Sequence, residues 1–562
     1  MSTTAAARYL SALAGHGIDS IFVNAGTDFA PIVEAYAANS KAGGPALPRP
    51  VICAHENLAG GMAHGAALMS GRPQAIMLHV NVGTANAACA VANAARDRIP
   101  LLVTAGRSPI LESGATGARD LPIHWSQEMF DQAGLVREFV KWDYELRDPR
   151  QVDAVVDRAI SLASAHPRGP VYLSLPREVL AEPAEIAPGR PPRTPVPAIV
   201  QPDPAAIALL ADRLASARLP VFVTTASGAE RESVDLLATC CTRFGIGVAD
   251  PWARYLNIPS NHPHRVGSDV TTVLNQADVV VFLESDVPWI EAWAKPPQDM
   301  FIAQVGVDPL FCAYPVRSHR SDLNIGATPG AFLTELIAAL EKRAGNIDPA
   351  RSERIRAMAG AHRQTVETQR KTETNAAPDA PITRATISAF LGELLREDDI
   401  VFNEYVATPE LLNRTAPGSY YFLPASGGLG WGLPAALGAK YAAPERTVIA
   451  TLGDGAYMFA NPAACHHASA KHDLPVLTVL ANNSHWWAVD LATQLVYPDG
   501  RAEAEDRFSN LAPSPDFAAY CIASGGHGVT VRQRSELKSA LAEALRVVRE
   551  ERRQALVDVR CI

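Results

Sequence analysis

Among the eight cysteines of this 562-residue chain there is no C-x-x-C pair. Cys53, Cys89, Cys240, Cys241, Cys312, Cys465, Cys521 and Cys561 are scattered without metal-ligand spacing, which reads as reduced thiols in a cytoplasmic protein. A dense basic block is also missing. Fifty Lys plus Arg stand against 59 Asp plus Glu, a net charge of −9, which argues against a nucleic-acid or anionic-membrane surface. No long apolar run goes uninterrupted. The most apolar stretch, AIMLHVNVGTANAACAVANAA, carries a histidine and several asparagines and reads as a buried strand followed by a helix, not as a membrane span. The amino terminus, MSTTAAARYLSALAGHGI, breaks its apolar content with Arg8 and His16 and reads as an amphipathic helix rather than a signal peptide. With 48% hydrophobic and 19% charged residues the composition is ordinary for a globular protein of several domains, and a small-molecule enzyme is the class these absences leave.

What is present is a rhythm. Short apolar runs introduced by proline recur as IPLLVTAG (from 99), GPVYLSLP (169), LPVFVTTASG (219) and LPVLTVLANN (474), each the signature of a buried parallel strand. Alanine- and leucine-rich stretches such as PRQVDAVVDRAISLASAH and SELKSALAEALRVVREER alternate with them. The class is therefore α/β: three consecutive doubly wound parallel-sheet domains. A proline-dense segment (176–204) and a charged, partly helical one (341–381) read as connections, dividing the chain at about 1–185, 190–345 and 365–562. ADVVVFLES and MFIAQVGVDP are strands of the middle part, where no G-x-G-x-x-G opens a helix, so a dinucleotide site there has little support.

The stretch that carries chemistry is 450–487. TVIATLGDG reads as a strand ending in a glycine-flanked acid, ANPAACHHASAKHD as a helix, and LPVLTVLANN as the next strand. Asp454 and Asn483 then lie at the carboxyl ends of two parallel strands, where open α/β sheets place ligands. Gly453 and Gly455 let the backbone approach a phosphate, while an acid and an amide supply oxygens to a hard cation that keeps phosphate oxygens as further ligands. The pattern reads as a magnesium (or calcium) diphosphate clamp.

That spacing resembles the signature of the thiamin diphosphate-dependent decarboxylase and acetolactate synthase superfamily. NAGTDFAPIVEAY (24–36), AHENLAGGMAHGAAL (54–68), FVKWDYELRD (139–148) and GSYYFLPASGGLGWGLPAALGAKYAAPERTVIATLGDG (418–455) are most similar to its benzoylformate decarboxylase branch. The resemblance implies pyrimidine-binding, middle and diphosphate-binding domains, thiamin diphosphate with Mg2+ (or Ca2+), a small 2-oxo acid substrate, and a homodimer at minimum, with a homotetramer expected. In such dimers the pyrimidine lies on the first domain of one chain and the diphosphate on the third domain of the other.

Residue by residue, the resemblance assigns Glu56 to the pyrimidine ring nitrogen, where a carboxyl in a largely apolar cleft promotes the tautomer that activates the cofactor. Leu429 wedges between the cofactor rings, Thr27 stands where a hydroxyl meets the substrate carboxylate, and His79 is an acid-base group. Asp454, Asn483 and the His485 backbone carbonyl hold the metal, with Gly453 and Gly455 against the diphosphate. Histidines 466 and 467 read as structural, and Val489 stands where pyruvate decarboxylases carry a glutamate. One departure matters: the family's middle-domain histidine has no counterpart in ESDVPWIEAWAKPP (284–297). The leading expectation is a decarboxylase yielding aldehyde and carbon dioxide. A carboligase or carbon-carbon lyase using the same cofactor, favoured by that missing histidine, is the alternative, and a catalytically silent subunit of the same fold is a third.

Overall fold

The computed structural model describes residues 4–184, 195–502 and 508–562. The expected proline-rich connection at 176–204 thus falls partly on 185–194, outside the described residues. The apolar runs become strands because their side chains are buried on both faces, as a parallel sheet covered by helices requires. The first sheet contains β1 (Ser20–Val23), β2 (Arg49–Ile52), β3 (Gln74–Leu78), β4 (Leu101–Arg107), β5 (Asp143–Glu145) and β6 (Val171–Pro176), in the order β2-β1-β3-β4-β6-β5. The second holds β7 (Pro220–Thr224), β8 (Gly247–Ala249), β9 (Arg265–Gly267), β10 (Val279–Leu283), β11 (Phe301–Gly306) and β12 (Leu323–Gly326), ordered β12-β11-β10-β7-β8-β9. The third comprises β13 (Ile400–Glu404), β14 (Tyr420–Phe422), β15 (Val448–Gly453), β16 (Val476–Asn482), β17 (His527–Val531) and β18 (Ala555–Arg560), ordered β14-β13-β15-β16-β18-β17. The three parallel sheets are those the sequence rhythm predicts.

By compactness the chain divides into two units. One comprises Met1–Pro197, Leu423–Arg532 and Ser539–Ile562, the other Ala198–Phe422 and Gln533–Lys538. Within the second, the charged segment expected as a connection is the 26-residue helix Ala350–Asn375. Its anchor is Arg351, whose fully buried guanidinium donates to the carbonyls of Leu214 (2.5 Å) and Phe244. A buried charge is tolerated there because carbonyl oxygens take up its N–H groups.

In the first unit, the amino-terminal helix Ala5–Gly15 buries Tyr9, Leu10 and Leu13 against the first sheet's core, and the helix Glu56–Ser70 packs along Gly432–Ala442. Neighbouring strands of the first sheet end close together. Residues 27–28 follow β1, Glu56 follows β2, His79 follows β3 and Ser108 follows β4, with Leu78 paired to Ala105 in register. On the third sheet Gly453 pairs with Ala481, so the turns carrying Asp454 and Asn483 are adjacent. No helix among the described residues is long and apolar enough to cross a membrane.

Candidate active site

His79 caps the helix Val80–Arg96, and its Nδ1 lies 2.5 Å from Asp28 Oδ1. Asp28 is buried (3% exposed), and its other oxygen accepts from the Val80 backbone at 3.4 Å. One carboxylate thus fixes both the imidazole and the backbone beside it. Val80 needs the help: its φ of +30° is a conformation a β-branched residue rarely adopts, costing on the order of 1–3 kcal/mol. The fit is close on both sides. A Cβ at Gly26 would fall 2.1 Å from the His79 ring, and one at Gly106 would fall 1.6 Å from Asp28. The hydrogen bond His79 donates to Asp28 raises the His79 pKa above the ordinary imidazole value against the opposing effect of burial, and the charge of Glu56 acts in the same direction. Gln127 lies 3.4 Å from His79 Nε2, and Thr27 lines the same shallow cleft.

Glu56 opens the helix Glu56–Ser70 and is 8% exposed. Its surroundings are less apolar than expected, since Asn86, from the next helix, donates to Oε2 at 3.1 Å. Leu429 is half-buried in the glycine-rich segment before Gly432–Ala442. Two asparagines bracket it: Asn93 exchanges hydrogen bonds with the Gly428 backbone (2.8 and 3.1 Å), and the Asn57 amide reaches the Gly430 carbonyl at 3.4 Å. Leu429 therefore sits beside the Glu56 end of the first sheet within a single chain.

The carboxyl ends of β15 and β16 hold the other cluster. Asp454 is 3% exposed; Oδ1 accepts from the Gly455 backbone at 3.0 Å, while Oδ2 is buried without a hydrogen-bond partner. Burial raises its pKa, and the backbone N–H groups of Gly455, Ser484 and His485 oppose that, which brings the Asp454 carboxylate to the Asn483 turn. The two asparagines there divide their work. Asn482 is consumed internally, donating to Asp558 (2.9 Å) and accepting from Ser514 (3.1 Å), whereas Asn483 accepts only a local backbone bond from His485 at 3.1 Å. Gly455 is required by the Trp486 indole, whose Nε1 would lie 2.3 Å from an added Cβ; nothing crowds Gly453.

No group of three or more His, Cys, Asp or Glu side chains able to hold a metal occurs among the described residues. One carboxylate, one amide and backbone oxygens form an incomplete set, fitting a hard cation that brings phosphate ligands with it. The orphaned Asp454 oxygen fits such an ion, because an unpaired buried carboxylate is otherwise costly.

The His485 ring turns away from this cluster to Asp490 and Ser509, the latter at 2.9 Å, so it serves the turn's structure. His466 is likewise structural, lying between Tyr457 (2.6 Å) and Gln554 (2.7 Å). In the second unit, the segment lacking a histidine acquires one in space: His319 Nε2 donates to the Trp289 carbonyl at 2.9 Å, and its ring meets the indole edge to face at 4.7 Å. Glu291 pairs with Lys295 on the surface.

Sequence reasoning missed Asp28, Asn86, Asn57 and Asn93. The one available signal was a carboxylate directly after Thr27, in a turn preceded by glycine.

Residues 3–135 match the family described as Thiamine pyrophosphate enzyme, N-terminal TPP binding domain, and residues 405–559 match Thiamine pyrophosphate enzyme, C-terminal TPP binding domain. Benzoylformate decarboxylase of Pseudomonas aeruginosa is 28% identical over 97% of both chains. Sulfoacetaldehyde acetyltransferase of Rhodobacter capsulatus is also 28% identical, over 97% of this chain and 92% of that one. A solved structure of the thiamine diphosphate-dependent 4-hydroxybenzoylformate decarboxylase of Rhodococcus jostii RHA1 shares the fold, with a TM-score of 0.76 at 23% identity over 99% of each chain. With both cofactor-binding domains present, the chain belongs to the thiamin diphosphate-dependent decarboxylase and acetolactate synthase superfamily and is a thiamin diphosphate-dependent enzyme.

Proposed function

We propose that the protein is a thiamin diphosphate- and magnesium-dependent decarboxylase of a 2-oxo acid, releasing carbon dioxide and an aldehyde. The observation that carries this reading is the Asp28–His79 pair in one pocket with Thr27, next to Glu56. In this reading the three sheets form the pyrimidine-binding, middle and diphosphate-binding domains at 1–185, 190–345 and 365–562. Bound thiamin diphosphate supplies the nucleophilic carbon and the electron sink that decarboxylation needs. The chain supplies the rest. Glu56 would hydrogen-bond to the pyrimidine nitrogen, with Asn86 fixing its second oxygen. Leu429, held by Asn57 and Asn93, shapes the seat for the cofactor rings. Thr27 donates its hydroxyl to the substrate carboxylate, and His79, oriented and kept protonated by Asp28, gives a proton to the substrate-derived oxygen. Asp454, Asn483 and the His485 carbonyl hold Mg2+ (or Ca2+), with Gly453 and Gly455 beside the diphosphate.

Assembly as a homodimer or homotetramer is part of the proposal. The helix Trp487–Val496 buries none of its residues in the single chain, and Leu495 (70% exposed), Val496 (65%) and the adjoining Tyr497 (67%) leave an apolar surface that a monomer rarely shows. Eight free cysteines suit a cytoplasmic setting. A second reading ends in carbon-carbon bond formation; the equal similarity to an acetyltransferase and to a decarboxylase favours keeping it. The test is a panel of 2-oxo acids offered to holoenzyme, with and without added aldehyde. Carbon dioxide and free aldehyde are expected. Product appearing only as ligated 2-hydroxy ketone would favour the second reading, and neither product from any acid would defeat both.

A further inference from the structure

We infer that Ser108 and His124 form a second recognition point in the pocket, binding an anionic oxygen group at the end of the substrate remote from its reacting carbonyl. Ser108 follows β4, one strand over from His79, and lines the pocket at 2% exposure with no hydrogen-bond partner for its hydroxyl. A buried hydroxyl left unpaired is costly, and a ligand oxygen accepting from it would recover that cost. His124 lines the same pocket at 3% exposure. Its Nδ1 lies 3.2 Å from Asp120 Oδ1 and accepts from the backbone N–H groups of Asp120 (3.3 Å) and Leu121 (3.4 Å); these two bonds place the ring proton on Nε2, which becomes a second donor. Burial and the nearby Arg177 guanidinium lower the His124 pKa, with Asp120 and Glu178 opposing.

Charge selects among acceptors. Arg107 and Arg177 line the pocket with side chains 17% and 8% exposed, while their acidic partners Glu128, Glu145 and Asp120 are 29%, 33% and 65% exposed and more open to screening by water. The lining acid, Asp28, is occupied by His79 and the Val80 backbone. A carboxylate, sulfonate or phosphonate tail meets two donors, with Arg107 and Arg177 lining the same cleft. An apolar tail would leave Ser108 unpaired.

This inference rests on the decarboxylase reading for its reaction and not for its binding test. Holoenzyme is given acids matched in length, 2-oxoglutarate against 2-oxopentanoate and sulfopyruvate against 2-oxobutyrate, and the ratio of kcat/KM within each pair is read. The charged tail should be preferred at least tenfold; Ser108→Ala should shrink the ratio about tenfold, and Ser108→Thr should restore it. A wild-type preference for the uncharged tail, or a ratio unchanged by Ser108→Ala, overturns the inference. Calorimetry with glutarate, which cannot be decarboxylated, separates the two claims: binding that is lost in Ser108→Ala supports the recognition point even when no 2-oxo acid reacts. Equal glutarate affinity in wild type and Ser108→Ala removes it.

Discussion

The two halves of the site are prepared in opposite ways. On the first sheet the two groups assigned to proton transfer already have partners from the chain itself: His79 has Asp28, and Glu56 has Asn86. On the third sheet Asp454 keeps one buried oxygen with none. Groups that move protons gain from being oriented and tuned before the substrate arrives, because their protonation state is set by fixed neighbours. A group that must ligate an ion gains from the reverse, since a carboxylate satisfied by protein donors would have to break those bonds first. Changes on the third sheet should therefore act on affinity, and changes on the first sheet on rate and pH dependence.

The largest effect should come from Asp454. Asp454→Ala is expected to abolish retention of thiamin diphosphate on dialysis in the presence of Mg2+, because a hard-cation ligand is lost beside the diphosphate charge. The comparison sharpens in the unliganded protein. Burial raises the Asp454 pKa, so ionisation weakens the folded state as pH rises through the ordinary carboxylate range toward the raised value. Unliganded Asp454→Asn should then melt at or above the wild-type temperature at neutral pH while losing the increase that magnesium and cofactor give wild type. A large loss of Tm in the unliganded variant would mean that Asp454 is a structural residue and the asymmetry false.

Glu56→Gln should leave cofactor binding nearly intact and slow exchange of the thiazolium proton by several orders of magnitude, since an amide can hydrogen-bond to the pyrimidine but cannot share a proton with it. Quenched-flow deuterium exchange reads this directly, and wild-type exchange in the variant would remove Glu56 from the chemistry. The same two variants test assembly. If the first sheet of one chain completes the third sheet of another, mixed Glu56→Gln and Asp454→Ala chains should regain one intact site per heterodimer. Failure to regain activity after verified exchange would put both halves in one chain, as the Asn57–Gly430 contact allows.

Legibility in the sequence followed locality. Proline-led apolar runs became β4, β6, β7 and β16, because a strand buried on both faces needs only a continuous apolar run, and the Gly-Asp-Gly and Asn-Asn turns were readable for the same reason. The three-residue strands β5, β8, β9 and β14 lie beyond such reading, too short to show a pattern. So does Asp28: its role is set by a histidine 51 residues away, and its place directly after Thr27 does not identify that partner. His319 escaped because proximity to Trp289 arises from the chain's return through the second sheet. The charged segment read as partly helical holds the helix Ala350–Asn375, but its anchor was not legible, because that residue is an arginine, the type composition assigns to the surface.

The smallest expected effect is the most specific to the pre-paired half. Asp28→Asn keeps an oxygen near His79 Nδ1 but removes the charge that holds its proton. Because the folded-state pKa of His79 is raised, the ion pair's stabilisation is fully present below the ordinary imidazole value and is lost as pH rises through the raised one. The stability difference between wild type and Asp28→Asn should accordingly be greater at pH 6 than at pH 9, measured by denaturant unfolding. In the kinetics, the alkaline limb of kcat/KM that reports loss of the His79 proton should move to lower pH in Asp28→Asn, with turnover at the optimum reduced roughly tenfold rather than the hundredfold or more expected for His79→Ala. Cofactor affinity should not change. If the limb stays where it is in wild type, Asp28 only holds the Val80 backbone in place; if cofactor affinity falls with it, the two halves of the site are not prepared independently.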